Sequence, residues 1–206
     1  FYAVFTEQGT SASHLAAAKF LDYIARIPGN AGGDSDAVGA YTQVVLDEMS
    51  DCMNVETWIS LPPAHRPSSW SKYRNPVCRL RLNLYGHPLA GLFWEQKNAQ
   101  VLLSEGFEKV RGWECLYVHR KQRLFISVYV DDYKMAGLEP NIKPMWARLK
   151  KKLDLEDEVP LHNTVYLGCT QKNIVPPIKL IEEKAEMLKS IVQFQPSSLK
   201  QGGRSA

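Results

Sequence analysis

The stretch LFISVYVDDYKMA, at residues 124–136, encodes a β-hairpin that carries two adjacent carboxylates. An apolar run ends at Val130, Asp131 and Asp132 follow, and a second, mostly apolar run starts at Tyr133. Aspartate is a common turn residue, so the pattern predicts two strands joined at the aspartates. The motif alone also fits an ordinary turn. Two carboxylates at the end of a buried strand nevertheless repel each other and lose solvation, so a cation is expected to compensate them.

Magnesium suits such a pair, because it is a hard cation that takes one or two carboxylates and leaves positions for water and substrate phosphates. A further carboxylate from elsewhere has to complete the site, and Asp36, shortly before Ala40 and Tyr41, is the candidate. Two-metal phosphoryl transfer needs this ligand set, with metals about 3.5–4 Å apart that activate the attacking oxygen and stabilise the leaving one.

The apolar periodicity of the surrounding chain indicates an α+β fold with hairpins and flanking helices. We predict helices at 13–27, 89–104 and 141–153, and strands at 115–118, 124–130 and 133–136. Residues 31–33, Ala-Gly-Gly, are interpreted as a flexible joint. Alternation over 77–84 places Arg79, Arg81 and Asn83 on a polar strand face and Leu80, Leu82 and Leu84 on an apolar one.

Composition is that of an ordinary folded domain with no membrane partner. The 206 residues hold 25 Lys+Arg and 22 Asp+Glu, a net charge of +3, and 45% are hydrophobic. No apolar run approaches the ~20 residues that a membrane helix needs. The four cysteines lack a Cys-x-x-Cys motif, which favours reduced thiols in an intracellular protein. Because the chain begins with Phe1, it is interpreted as a fragment or an incomplete gene model.

Five segments, in this order, resemble the reverse transcriptase domain of copia-type retrotransposon polyproteins. They are Asp36 followed by Ala40-Tyr41, ETWISLP at 56–62, VCRLRLNLYG at 77–86 with Ala90 and Trp94 beyond it, YVDD at 129–132, and VYLG at 165–168. The combination of the tyrosine-glycine segment and the aspartate hairpin is the most specific part of the resemblance.

The resemblance implies a polymerase palm, a ferredoxin-like antiparallel sheet with the helices packed on one face, together with partial fingers and the start of a thumb. The implied division is a residual fingers helix at 1–30, the palm at 31–172, and a connecting segment or thumb start with a polar tail at 173–206.

The resemblance also implies an RNA-directed DNA polymerase that uses Mg²⁺ or Mn²⁺, deoxynucleoside triphosphates and an RNA or DNA template–primer. It would act beside other parts of a retroelement polyprotein inside the cell, in the cytoplasm, virus-like particles or the nucleus. The implied roles are direct metal ligation by Asp36, Asp131 and the Ala37 carbonyl, with Asp132 assisting; nucleotide-sugar contact by Tyr41; primer contact by Tyr129 and Val130; template contact by Tyr85 and Gly86; and phosphate contact by Arg79, Arg81 and the basic run 150–152.

Three departures from the family pattern leave activity open. Pro88 and Leu89 stand where the family usually has lysine and glutamine, the stretch 47–54 is acidic, and residues 1–9 offer no basic side chain for a triphosphate. The alternative is a catalytically inactive relic that binds nucleic acid or protein. A third interpretation, an unrelated two-metal nucleotidyl transferase or cyclase, is disfavoured by the Leu-Tyr-Gly segment.

Overall fold

The computed structural model describes residues 12–49, 56–161, 165–170 and 177–192. The chain divides into two compact units, 1–171 and 172–206. The first holds α1 (Leu15–Ala25), β1 (Asn30–Asp36), α2 (Leu46–Met49), β2 (Trp58–Ile59), β3 (Cys78–Arg79), α3 (Ala90–Ser104), β4 (Glu108–Lys109), β5 (Leu116–His119), β6 (Leu124–Tyr129), β7 (Asp132–Leu138), α4 (Glu139–Leu149), β8 (Val159–Pro160), β9 (Val165–Tyr166) and β10 (Cys169–Thr170). The second holds α5 (Ile178–Val192). The first residues of the predicted fingers, part of the acidic stretch 47–54 and the polar tail lie outside the described residues.

The first unit is built on a six-stranded antiparallel sheet in the order β4-β5-β6-β7-β1-β8. Within it, β1, α3, β6, β7, α4 and β8 occur in the chain order β-α-β-β-α-β, with α2, β2 and β3 inserted after β1 and β4 and β5 inserted after α3. Their strands lie in the order β8-β1-β7-β6. This is the split β-α-β arrangement of ferredoxin-like sheets. The predicted α+β class is confirmed.

Helices cover both faces of the sheet. Helices α3 and α4 pack on one face, where Trp94 and Trp146 contact a core with Ile126, Tyr133 and Met135. Helix α1 packs on the other face through a cluster of Ala17, Leu21, Leu116 and Ala136 with Phe20 and Phe125. The expectation that all three helices share one face is therefore wrong for α1. The cause is the composition of β6, which presents apolar side chains to both faces and so needs cover on both.

The predicted flexible joint at 31–33 is wrong, because these residues form the middle of β1. That strand pairs with β7 from Asn30↔Leu138 to Asp36↔Asp132, and with β8 at Gly33↔Pro160. A Cβ on Gly32 would lie 2.6 Å from Leu161 Cδ1 and 2.9 Å from Ala25 Cβ. Glycine at this position lets α1 and the chain after β8 approach the strand closely.

The alternation predicted over 77–84 holds over 77–81, where exposed and half-buried residues alternate, and breaks at 82–84. Asn83 is fully buried, whereas Leu82 and Leu84 remain 48% and 43% exposed. The Asn83 side chain donates to the Ala90 carbonyl at 2.9 Å and accepts from the Leu84 N–H at 2.9 Å. These bonds, one to the neighbouring residue and one to the start of α3, replace the strand pattern.

None of the described helices is long and apolar enough to cross a bilayer. Cys78 and Cys115 are half-buried free thiols, Cys169 is an exposed free thiol, and Cys52 lies outside the described residues.

Candidate active site

The hairpin between β6 and β7 closes with a two-residue turn. The strands pair from Leu124↔Gly137 to Tyr129↔Asp132, which leaves Val130 and Asp131 as the turn. The turn therefore lies one residue earlier than predicted, and Asp132 is the first residue of β7. Val130 has a φ of +56°, a region that a β-branched residue rarely adopts. Hairpins of this length usually place glycine, asparagine or aspartate at such a position.

Two hydrogen bonds hold the carbonyls of this turn. The Trp94 indole N–H donates to the Val130 carbonyl at 2.6 Å, and the Ala37 N–H donates to the Asp131 carbonyl at 2.8 Å. The first bond ties the turn to α3, and the second ties it to the end of β1. The turn is thereby fixed relative to the strand that carries Asp36.

Asp36 and Asp132 face each other across the ends of the two central strands. They are direct partners in the β1–β7 register. Strand alternation places both on the face away from α3 and α4, since Tyr133, the next residue, is buried in the core on the α3–α4 side. Tyr129, opposite Asp132 on β6, stands in the same row. The register thus pairs Asp36 with Asp132, the aspartate to which the sequence assigned only an assisting role.

The part of the chain that the structure describes places no compensating cation beside the acidic pair. Burial, the negative charges of Asp36 and Asp131, and a hydrogen bond to Asp36 together raise the pKa of Asp132 to about 6. Across the described ranges, no lysine or arginine forms an ion pair with any of these three aspartates. Two carboxylates in contact without a cation lower the stability of the ionised form.

The neighbouring row of the sheet does have its cation. Lys134, directly opposite Asp34, is 1% exposed. Its ammonium lies 2.7 Å from Asp22 Oδ1 and 3.7 Å from Asp34 Oδ1, and 4.3 Å above the Tyr166 ring. Lys134 was not among the residues predicted from the sequence. Because residues i and i+2 of a strand lie on one face, Lys134 lies beside Asp132 on β7.

A cleft of about 240 Å³ opens beside the pair. It is bounded by acidic groups of β1, β7 and the segment before β8, together with three apolar or aromatic side chains: Asp34, Asp36, Asp132, Glu156, Asp157, Val159, Val165 and Tyr166, with Ser35. Within the described residues, no group of three or more His, Cys, Asp or Glu side chains forms a ready-made metal cluster. Glu156 and Asp157 were absent from the sequence-based candidates.

The aromatic rings of Tyr41, predicted to contact the nucleotide, and Tyr85, predicted to contact the template, pack against each other. Their ring centroids are 4.5 Å apart. Burial and the nearby Tyr85 and Asp131 raise the pKa of Tyr41, so its hydroxyl stays protonated. Tyr85 is 58% exposed, and Gly86 after it has a φ of +93°. The two rings form a partly exposed aromatic platform.

The predicted phosphate-contacting cations are engaged by acids of the chain itself. Arg79 lies 2.6 Å from Asp47 and 3.3 Å from Glu56, and Arg81 lies 3.8 Å from Asp47. In the basic run 150–152, Lys150 pairs with Asp157, and Lys152 lies 2.6 Å from Glu105. Both basic regions thus present less free positive charge than the sequence suggests.

A family model described as reverse transcriptase (RNA-dependent DNA polymerase) matches residues 50–196, more than half of the chain. The matched range contains the hairpin with Asp131 and Asp132, whereas Asp36 precedes it. This chain belongs to the reverse transcriptase family.

Its curated relatives include yeast retrotransposon polyproteins. The truncated transposon Ty1-A, transposon Ty1-DR5 and transposon Ty1-LR2 Gag-Pol polyproteins of Saccharomyces cerevisiae are each 30% identical over 91 residues. The aligned segment covers 43% of this chain and only 7%, 5% and 5% of those proteins. The resemblance to a copia-type reverse transcriptase domain is confirmed.

Proposed function

We propose that this chain is the palm region of a copia-type reverse transcriptase and that it extends a primer on an RNA template. The observation that carries the proposal is the Asp36–Asp132 pair, which faces a cleft at the ends of the two central strands and forms no ion pair with any lysine or arginine that the structure describes. In this proposal residues 1–30 belong to the fingers, 31–172 to the palm, and 173–206 to a connection or thumb.

The carboxylates fit a hard divalent cation. Their oxygens are the donors that Mg²⁺ and Mn²⁺ take, and the pKa of Asp132 is raised by burial and by the neighbouring negative charges, which a cation would offset. Asp36, Asp132 and Asp131 would hold the ion, with the Ala37 carbonyl as a further donor. When bound, the metal would supply charge stabilisation for transfer of a nucleotidyl group to a primer 3′-hydroxyl.

The chain's own residues would bind and orient the substrates. The Tyr41–Tyr85 platform offers an aromatic surface to the sugar of a deoxynucleoside triphosphate and to the template, while Tyr129, 39% exposed beside Asp132, lies where a primer end would be placed. Arg79 and Arg81 would contact phosphates once their acidic partners release them.

The context of this activity is proposed from the relatives. Since those relatives are Gag-Pol polyproteins, we propose that the chain works beside other parts of a retroelement polyprotein, inside the cell. The template and primer would be nucleic acids of that element.

Primer extension on an RNA template with Mg²⁺ and deoxynucleotides tests the proposal. The wild type is compared with Asp131→Asn, Asp132→Asn and Glu114→Gln, the last removing an exposed carboxylate in the loop before β5. Extension by the wild type and by Glu114→Gln, with loss in both aspartate variants, supports the proposal. Equal extension by all four proteins contradicts it.

A relic that binds nucleic acid without synthesis is the second candidate. Pro88 and Leu89 favour it, because they stand where the family usually carries a lysine and a glutamine that would help to position template or nucleotide. Folded wild-type protein that binds template–primer and never extends it would establish this alternative.

A further inference from the structure

We propose that Trp94 is a positioning residue for the aspartate hairpin, and that its indole N–H, not its ring, is what the site requires. The inference deepens the proposed function and concerns the same acidic site. It identifies a side chain outside the substrate-facing set that determines where Asp131 and Asp132 stand.

The turn needs an external restraint. Val130 adopts a φ of +56°, a strained conformation for a β-branched residue that persists only where the surroundings impose it. The Val130 carbonyl accepts the Trp94 indole N–H at 2.6 Å. Trp94 is only 2% exposed, so this bond is shielded from water and holds the backbone conformation that the turn disfavours.

Helix α3 holds the hairpin on both sides of the aspartates. One turn beyond Trp94, Asn98 accepts a hydrogen bond from the Tyr133 hydroxyl. Residues i and i+4 share one helix face, so a single stripe of α3 binds Val130 before the aspartates and Tyr133 after them. Both contacts lie on the core side of the sheet, so neither enters the face that carries Asp36 and Asp132.

Loss of the indole bond would move the aspartates. Once the Val130 carbonyl is released, the turn can relax to a less strained conformation, and the Asp131 carbonyl then loses its alignment with the Ala37 N–H. Displacement of reacting groups by about 1 Å can cost about 10²-fold in rate. The effect should fall on the chemical step, because the substrate-contacting side chains are untouched.

The chain offers a matched control for this substitution. Trp146 on α4 is also fully buried in the same core, and its indole nitrogen has no hydrogen-bond partner within the described structure. Trp94→Phe and Trp146→Phe therefore remove the same ring volume from the same core, but only the first removes a hydrogen bond to the turn.

The experiment measures both variants in two ways. In primer extension, kcat of Trp94→Phe should fall about 10- to 100-fold with KM for the nucleotide nearly unchanged, whereas Trp146→Phe should lose less than about threefold. In native-state hydrogen exchange, the Ala37 amide should exchange at least about tenfold faster in Trp94→Phe than in Trp146→Phe at matched global stability.

The two readouts separate failure of the inference from failure of the proposed function. If the wild type extends primers and the two variants behave alike in both assays, the inference is wrong and the proposed function stands. If the wild type does not extend primers, the proposed function fails, and the Ala37 exchange rates still decide whether Trp94 holds the turn.

Discussion

Glu105 and Asp132 are two carboxyl groups of the same unit, one buried and one half-buried, whose neighbours carry opposite charges. Glu105, 7% exposed at the end of α3, lies 2.6 Å from both Lys152 and Arg148, and the Lys152 hydrogen bond is the main cause that lowers its pKa. Asp132 meets Asp36 instead, and burial raises its pKa to about 6. Cations surround the carboxylate that joins α3 to the end of α4, whereas the described residues supply none at the ends of β1 and β7.

Lys134 sharpens this contrast within a single sheet face. One row from Asp36 and Asp132, its ammonium compensates Asp34 and Asp22. The fold can therefore place a buried cation on this face, and it does so two residues from Asp132. The cleft is bounded by acids of both rows, and an external cation can enter it beside Asp36 and Asp132, for which the described residues offer no ion pair.

Among the substitutions that test the difference between Glu105 and Asp132, Asp36→Asn should have the largest effect, and the effect is on activity. Removing one member of the pair should reduce Mg²⁺-dependent primer extension by about 10³-fold or more, because a metal held by fewer carboxylates stabilises the transferred group poorly. Steady-state extension rates against Glu114→Gln measure this. Near-normal activity would show that the pair is not the reaction centre.

Glu105→Gln should destabilise the fold without affecting the site directly. It leaves Arg148 and Lys152 without their partner, and we expect a loss of about 2 kcal/mol of unfolding free energy in urea. The control is Glu108→Gln, whose ion pair with Arg120 is exposed and should contribute less than about 0.5 kcal/mol. Equal losses of unfolding free energy in the two variants would show that the buried Glu105 ion pairs stabilise the fold no more than an exposed pair does.

The pH dependence of stability should have opposite signs at the two carboxyls. The pKa of Asp132 is higher in the folded state, so the folded state binds a proton that the unfolded state lacks between pH about 4 and 6, and stability falls as pH rises through that window. Asp132→Asn should therefore be more stable than the wild type above pH 6, by about 1 kcal/mol after allowance for solvent screening, and equal to it below pH 4.

The pKa of Glu105 is lower in the folded state. Its ionised form therefore stabilises the fold above the ordinary glutamate pKa, and this stabilisation is lost as pH falls through the lower, folded-state pKa. Urea unfolding of each variant and the wild type from pH 3.5 to 8 provides the measurement. The same sign of pH dependence for both substitutions would contradict the account.

Asp47→Asn has the smallest expected effect. It releases Arg79 from its closest acidic partner, and template–primer binding at low salt should tighten about threefold, with a steeper salt dependence. Fluorescence anisotropy compares it with Glu114→Gln, which changes the net charge equally at a distant exposed position. Equal tightening of template–primer binding in both variants would show that the change in net charge, and not the release of Arg79, is the cause.

The sequence was informative where local pattern determines structure. The apolar runs around Asp131 and Asp132 predicted the hairpin to within one residue, and the helices at 89–104 and 141–153 correspond to α3 and α4. These elements carry their own periodicity, so the pattern needs no tertiary information.

Prediction from the sequence failed where contacts with a distant segment determine the local structure. Gly32 looks flexible in isolation and is a strand residue because α1 and Leu161 pack against it. Asn83 follows a strand pattern and is buried because its amide binds the backbone at the start of α3. The partnership of Asp36 with Asp132 depends on the β1–β7 register, which couples residues almost one hundred positions apart.

The most direct test of the central claim is thermal unfolding at pH 7.5 with increasing Mg²⁺, for the wild type, Asp132→Asn and Glu114→Gln. A ligand at ten times its dissociation constant stabilises a fold by about 1.4 kcal/mol, which is several degrees for a domain of this size. The account predicts a saturating rise in melting temperature for the wild type and Glu114→Gln that is absent in Asp132→Asn. An equal rise in all three proteins, or none in the wild type, would contradict the claim that this pair is built to receive a cation.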